Sequence, residues 1–258
     1  MTIKELWDKK TELGYTCEQL EEKTGIPKRV IQAIFDEDKE LVYKILLWEL
    51  EFVLNSETVV KDVAVTWGGK KQGEYTLDDY YALPDEERVE LIDGVLYNMA
   101  APSSIHQVIA GKIYTKLDNY VMEKKGTCIP AISPIDVQLD CDDKTMVQPD
   151  VIIVCDRDKF RKKVVYGAPD FVVEVLSPST SKKDTSLKLS KYHNAGVREY
   201  WVVDPMKECV IAYRMNGYGY YSASIYSFED EVPVRIFQDE CKINFKEIKE
   251  YIAFLYEK

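Results

Sequence analysis

Apolar positions follow two different periods along this chain. In the first fifty-odd residues Leu6, Leu13, Leu20, Val30, Ile31, Ile34, Leu41, Ile45, Leu46 and Leu50 recur at helical spacing, which predicts an all-helical segment. Within it Thr16 is placed to cap a helix running to about Lys23, and Gln19, three residues on, completes a capping box. Thr24-Gly25-Ile26-Pro27 then reads as a turn, with Gly25 free to take positive φ and Pro27 suited to the first turn of the next helix, roughly Lys28 to Phe35. From about Asn55 the helical period fades, and Gly68-Gly69-Lys70-Lys71-Gln72-Gly73 has no apolar periodicity, so a linker is expected over 55–73.

Beyond residue 74 short strands and helices alternate. Thr76 caps a short helix that Leu83-Pro84 ends, and Asp93-Gly94 is a two-residue hairpin turn that should pair Val89-Glu90-Leu91-Ile92 with Val95-Leu96-Tyr97. Ser104 to Lys124 reads as an amphipathic helix. Ile135 to Leu139, Val147 to Val154 and Phe171 to Leu176 read as strands, with Asp140 to Lys144 an acidic turn between the first two. Ser181 to Ala195 should be helical with Gly196 as its C-cap, and Glu199 to Val203 a buried strand ending at Asp204-Pro205. Val210 to Arg214, Gly219 to Ala223 and Val234 to Ile236 suggest further strands, and Phe245 to Tyr256 a closing helix. The division this predicts is a helical domain over 1–54, a linker over 55–73, and a mixed α/β (α+β) domain over 74–258.

The 258 residues are ample for two domains, and 46% hydrophobic with 31% charged residues is an ordinary globular composition. No apolar run approaches the roughly 20 residues that span a bilayer, and the first fifteen residues are charged throughout, so a cytoplasmic protein without membrane contact is expected. The six cysteines form no C-x-x-C pair; they are expected as reduced thiols, mostly buried, with neither zinc nor redox spacing.

Gln19 to Ile31 carries the core of a resemblance, about thirty residues in extent, to the repressor-type helix-turn-helix family. The resemblance implies that Lys28, Arg29 and Gln32 face a DNA major groove while Val30, Ile31 and Ile34 face a core. A helical docking or dimerisation module is the other reading, since Asp36-Glu37-Asp38 directly follows the reading helix.

Candidate chemistry lies in the second domain. Pro149-Asp150 falls inside a strand, and Glu174 interrupts the otherwise apolar Phe171-Val172-Val173-Glu174-Val175-Leu176. A carboxylate amid a buried strand is costly unless paired, protonated or metal-bound. Carboxylates converging on divalent metal, with a cation near the attacking water, are what phosphodiester hydrolysis by this route needs.

Several segments in order resemble the restriction endonucleases labelled Uma-two, a branch of the PD-(D/E)XK nucleases. They are Glu90-Leu91-Ile92-Asp93-Gly94, His106-Gln107, Gln148-Pro149-Asp150-Val151, Glu174-Val175-Leu176-Ser177-Pro178-Ser179-Thr180, Asp184 to Lys188, Tyr192, and Gly196-Val197-Arg198-Glu199-Tyr200-Trp201. The resemblance implies a restriction-endonuclease-like mixed sheet flanked by helices, with Asp150 and Glu174 holding Mg²⁺ or Mn²⁺ and a lysine assisting hydrolysis. The lysine usual two residues after the acid is here Leu176. The matching cation is Lys188 on the following helix, with Lys191, three residues on, its rival.

Glu90 matches the family's early acid and offers a further metal contact or a structural salt bridge. His106 matches a helix-borne histidine that orients a ligand, contacts phosphate or simply satisfies a hydrogen bond. Ser177 to Thr180 reads as a helix cap and not a nucleophile, and Asp140-Cys141-Asp142-Asp143 as a solvated turn and not a calcium loop. Tyr192, Tyr200 and Trp201 read as core, with stacking on bases the other use of such aromatics.

Two functions compete. One is a metal-dependent endonuclease acting on nucleic acid, DNA first, as a monomer or homodimer. The other is a catalytically silent nuclease fold that binds nucleic acid or protein. A net charge of −11 argues against an unspecific, strongly basic binder without excluding a metal-using nuclease, whose site must concentrate carboxylates.

Overall fold

The structure is a computed structural model, and it describes residues 10–12, 14–19, 32, 67–84, 87–99, 101–177, 184–215 and 221–256. The helix-turn-helix reading falls mostly outside them: Lys28 and Arg29 are not described, and Gln32 is helical and exposed. The capping box forms, Thr16 N–H donating to Gln19 Oε1 at 2.9 Å and Gln19 N–H to Thr16 Oγ1 at 3.2 Å. Labels below count described elements in chain order.

Helix α1 (Leu77–Ala82) starts at Thr76, whose capping box is closed by Asp79, and stops at Leu83 before Pro84. Strands β1 (Val89–Ile92) and β2 (Val95–Asn98) form the expected hairpin. Asp93 and Gly94 both take positive φ, 50° and 75°, as a two-residue turn of this kind requires. A Cβ on Gly94 would lie 2.5 Å from the Gly73 carbonyl oxygen, so the backbone approach itself demands glycine here. Residues 67–73, expected as linker, are tied to this hairpin: Gly73 N–H donates to Gly94 O, and Leu96 N–H to Gln72 Oε1.

Helix α2 (Ser104–Glu123) is capped by Ser103, whose hydroxyl accepts from the His106 N–H. Next come β3 (Ile129–Ile132), β4 (Val137–Gln138), β5 (Val151–Val154), β6 (Val165–Tyr166) and β7 (Phe171–Val175). Helix α3 (Asp184–Ala195) ends at Gly196, φ 93°, with the Val197 N–H closing on Tyr192 O. Strands β8 (Glu199–Asp204), β9 (Cys209–Met215), β10 (Tyr221–Ser227), β11 (Glu231–Val234) and β12 (Cys241–Asn244) precede helix α4 (Phe245–Tyr256).

Six strands form one sheet in the order β10-β9-β8-β7-β5-β3. Every neighbouring pair is antiparallel except β7 and β8, which are parallel and joined through α3. Alternation along each central strand feeds two cores. Val173, Val175, Trp201 and Val203 point to the face covered by α2 and α4, packing with Ile109, Ile113, Leu117, Phe245 and Ile252. Val172, Leu176, Tyr200 and Val202 point to the other face, against Leu189 and Tyr192 of α3. A third cluster, Tyr75, Val89, Leu91, Leu96 and Met146, seats the hairpin.

Several sequence expectations are corrected. Strand β3 was not anticipated. The strand expected over Val147 to Val154 begins only at Val151, because Val147 instead bridges to Val137, so Asp150 stands just before the strand. The strand expected over Val234 to Ile236 instead ends at Val234 as β11, with Arg235–Phe237 a short 3-10 turn, and β12 has no counterpart in the sequence reading.

Cysteines also depart from expectation. The β3–β5 register places Ile129 opposite Val154, so the flanking Cys128 and Cys155 meet and are joined by a disulfide, S–S 2.08 Å. Of the four free cysteines only Cys241 is buried, and Cys141 is exposed.

Candidate active site

Because β5 and β7 are antiparallel, the start of one and the end of the other meet at the same edge of the sheet. Asp150, just before β5, is fixed there by two contacts to Oδ2, the Val175 N–H at 2.7 Å and His106 Nε2 at 3.0 Å. His106 comes from α2, on one face of the sheet. Its Nδ1 is buried without a hydrogen-bond partner.

Glu174 lies on the opposite face, where the alternation of β7 turns it toward α3. Its Oε1 accepts from the Tyr192 hydroxyl at 2.6 Å and from Lys188 Nζ at 3.1 Å. One helical turn separates Lys188 from Tyr192, so both side chains reach the same carboxylate. Lys188 is only 5% exposed and also donates to Glu90, Nζ to Oε2 2.9 Å and to Oε1 3.0 Å. The hairpin supplies Glu90, whose Oε1 further accepts the Gln148 N–H at 2.8 Å. One ammonium is therefore held between two buried carboxylates, at the edge of the sheet where Asp150 also stands.

Burial pushes the Glu174 carboxyl up to about 8; the Lys188 ammonium works against that rise, the Asp150 and Glu90 charges add to it, and the Tyr192 hydrogen bond lowers it. The Tyr192 hydroxyl is pushed well above its ordinary value, first by burial and then by Glu174 and Glu90, and remains a donor.

Lys191 does not reach this group. It pairs with Asp93 at 2.8 Å and with Asp140, which ties α3 to the hairpin turn. Tyr200 and Trp201 are core residues as expected, and Ser177 is buried at the cleft while 178–180 lie outside the described residues. Cys141, Asp142 and Asp143 form an exposed turn.

Sequence reading missed three further features. Arg88 lines the cleft, two residues before Glu90 and so on the same side of the strand. Gln148 lines it too, its Nε2 donating to Asp136 Oδ1 at 3.0 Å and to the Tyr80 hydroxyl at 2.9 Å. Tyr192 was assigned to the core, and it is also the strongest hydrogen-bond donor to Glu174 by distance. The cleft has a volume of about 220 Å³ and is lined by Arg88, Glu90, His106, Asp150, Glu174 and Lys188 among others. Among the described residues, no group of three or more His, Cys, Asp or Glu side chains is by itself arranged to hold a metal ion, and no helix is long and apolar enough to cross a membrane.

A mixed sheet flanked by helices, with one acid just before β5, another in the adjacent β7 and a lysine from the crossover helix at the same end, defines a restriction-endonuclease-like protein. Comparison with known proteins agrees. Residues 77–246, about two thirds of the chain, match Uma2, described as "Putative restriction endonuclease", and the chain belongs to that family. It is 29% identical over 150 residues to the uncharacterized protein slr1290 of Synechocystis, covering 58% of this chain and 77% of that one. Its fold is similar to the crystal structure of a protein from Anabaena variabilis titled a putative nuclease belonging to DUF820. That likeness has a TM-score of 0.56 and 20% identity, and covers 69% of this chain and 98% of the other.

Proposed function

We propose that the chain is a metal-dependent endonuclease of the PD-(D/E)XK type that hydrolyses phosphodiester bonds, with DNA as substrate, and that its 1–54 segment is a separate DNA- or protein-binding module. The observation that carries this reading is the Lys188 ammonium held between Glu90 and Glu174, at the same sheet edge and in the same cleft as Asp150.

The donor set suits a hard divalent cation. Mg²⁺ is commonly held by one or two carboxylates, with water and substrate phosphate completing its shell, so the two carboxylates of Asp150 and Glu174 in the cleft suffice without a third protein ligand. Asp150 and Glu174 would hold Mg²⁺ or Mn²⁺, with Glu90 as a further contact. When bound, the cation supplies Lewis-acid stabilisation of the phosphoryl oxygens and a more acidic water.

The protein groups do the rest. Asp150 is pinned by the Val175 amide and His106, so its second oxygen is presented in a fixed direction. Lys188, paired with Glu90 and Glu174 beside the cleft, would donate toward the attacking water and the developing negative charge. Water oxygen bonds to phosphorus and one of its protons passes to solvent, the bond to the leaving ester oxygen breaks, and that oxygen takes up a proton from solvent, so one water is divided between the two products. Arg88, exposed at the cleft wall, meets the flanking phosphate.

The test is nicking of supercoiled plasmid with Mg²⁺ or Mn²⁺ against a chelator control, comparing wild type with Asp150→Ala and Lys188→Ala. Metal-dependent nicking lost in both variants is the expected result. No nicking by wild type, or equal nicking by all three, overturns the assignment in favour of a silent binding platform. That alternative expects Asp150→Ala to keep function and Arg29→Ala to lose it.

A further inference from the structure

Residues 157–163 read Arg-Asp-Lys-Phe-Arg-Lys-Lys, five cations and one acid in seven positions of a chain whose net charge is −11. It is the densest run of cations in the sequence, and the nuclease reading given above does not use it. Its second half is an ordered turn. Phe160 bridges to Val165, the Arg161 N–H closes on Val164 O at 2.9 Å, and β6, which follows, pairs with β4.

The cations divide by what they touch. Arg157 donates to Thr127 O and Lys159 to Ala168 O, so both help to fold the loop. Arg161, Lys162 and Lys163 are exposed, and none forms an ion pair with a described carboxylate. Aromatic faces flank them: the Arg161 guanidinium lies 3.4 Å over the Tyr166 ring, and Lys163 Nζ lies 5.9 Å from the half-exposed Tyr81 ring.

A chain of contacts links that surface to the cleft. Tyr81 packs edge-on against Tyr80, ring centres 5.3 Å apart, and the Tyr80 hydroxyl contacts Asp136 and Gln148. Gln148 lines the cleft. Asp136, the acid beneath this path, is occupied by Tyr80 and Gln148, and its carbonyl receives the Val165 N–H that starts β6.

We propose that the 161–163 turn, with Tyr81 and Tyr166, is a phosphate-backbone track for duplex DNA running out of the cleft. The proposal rests on the nuclease reading for its choice of partner. A cleft whose exposed cation is Arg88 meets the phosphate next to the reacting one, and Arg161, Lys162 and Lys163 hold the backbone further along. The net charge of −11 carried by the chain as a whole keeps the strand in that lane, since phosphate affinity comes from local cations and not from net charge.

Binding of a short DNA duplex to the full chain, followed by fluorescence anisotropy without divalent metal, reads this directly through its salt dependence. Each neutralised phosphate contributes about 0.9 to the slope of log affinity against log salt, so the R161A/K162A/K163A variant should lose about 2.7 of slope. Wild type then loses about forty-fold more affinity than the variant for each fourfold rise in salt. R161K/K162R/K163R, which keeps the charges, should keep the wild-type slope and guards against a folding artefact.

An unchanged slope in the alanine variant, or a wild type that binds no duplex, overturns the proposal. A change confined to self-association overturns it too, and assigns the turn to a second copy of this acidic chain. A reduced slope in a protein that does not cut DNA leaves this surface standing and removes the nuclease reading. Cutting with an unaltered slope does the reverse.

Discussion

Lys188→Met removes one charge while keeping a long unbranched side chain, and the structure sets the size of the effect. The ammonium lies 2.9 Å from Glu90 and 3.1 Å from Glu174, all three side chains being nearly enclosed. At an effective dielectric of about 20 each attraction is worth roughly 5 kcal/mol, offset by the desolvation of three charges. Deleting only the cation leaves two buried carboxylates facing each other, a net loss of about 3–5 kcal/mol. For a domain of this size that corresponds to a melting temperature roughly 6–20 °C lower.

Protonation of the carboxylates relieves the repulsion, so the deficit should shrink in acid and be largest at and above pH of about 8, where burial has placed Glu174. Thermal melts followed by circular dichroism, run in acid and at mild alkaline pH, measure it, and plasmid nicking runs in parallel. Nicking should fall about a hundredfold or more, the usual effect of removing one donor to developing charge. The double variant Glu90→Gln/Lys188→Met should regain most of the melting temperature and none of the nicking, separating charge balance from chemistry. A single variant that melts with wild type at alkaline pH refutes the enclosed triad, and one that still nicks refutes the role of the ammonium.

Three further outcomes are expected. Without metal, the folded chain binds more protons than the unfolded one between the ordinary Glu value of 4.5 and about 8, so this group's stabilisation fades as pH rises through that window. Denaturant midpoints should show it, Glu174→Gln should flatten it, and a midpoint rising because of Glu174 over the same window contradicts it. Saturation with Mn²⁺ should raise the wild-type stability by about 2.7 kcal/mol at a hundredfold excess over Kd, and Asp150→Asn should abolish the shift; equal shifts in both proteins count against Asp150 as a ligand. Gly94→Ala forces a side chain onto φ 75° and into the Gly73 carbonyl 2.5 Å away, so a loss of about 2–3 kcal/mol is expected in chemical denaturation, and no loss would mean the turn is not built as described.

Much of this was legible in the residues because the signals were local. Thr76, Asp93-Gly94 and Gly196 mark ends and turns by conformational preferences that act within a few residues, and the structure places caps and turns there. Glu174 stood out because it broke an apolar strand. What escaped depended on partners distant in sequence. Strand β3 is short, with Pro130 inside it, and exists because β5 pairs with it. Disulfide partners Cys128 and Cys155 are 27 residues apart and meet only through that pairing. Spacing put Lys188 and Lys191 near one face of the same helix, with Lys188 the match to the family's cation; the hairpin separates them by offering Glu90 to Lys188 and Asp93 to Lys191. Asp150 was expected within a strand, and its place just before one frees it from the sheet's alternation.

The single parallel step in the sheet has a further consequence, one of handedness. Strands β7 and β8 run the same way, so the chain must cross over between them, and crossovers of this kind turn right-handed almost without exception because of strand twist. A left-handed crossing would lay α3 against the α2 face and put the Lys188 ammonium behind the sheet from Glu174. Chirality of the amino acids thus chooses the side of the sheet on which the Lys188 charge arrives, the side where Glu174 receives it.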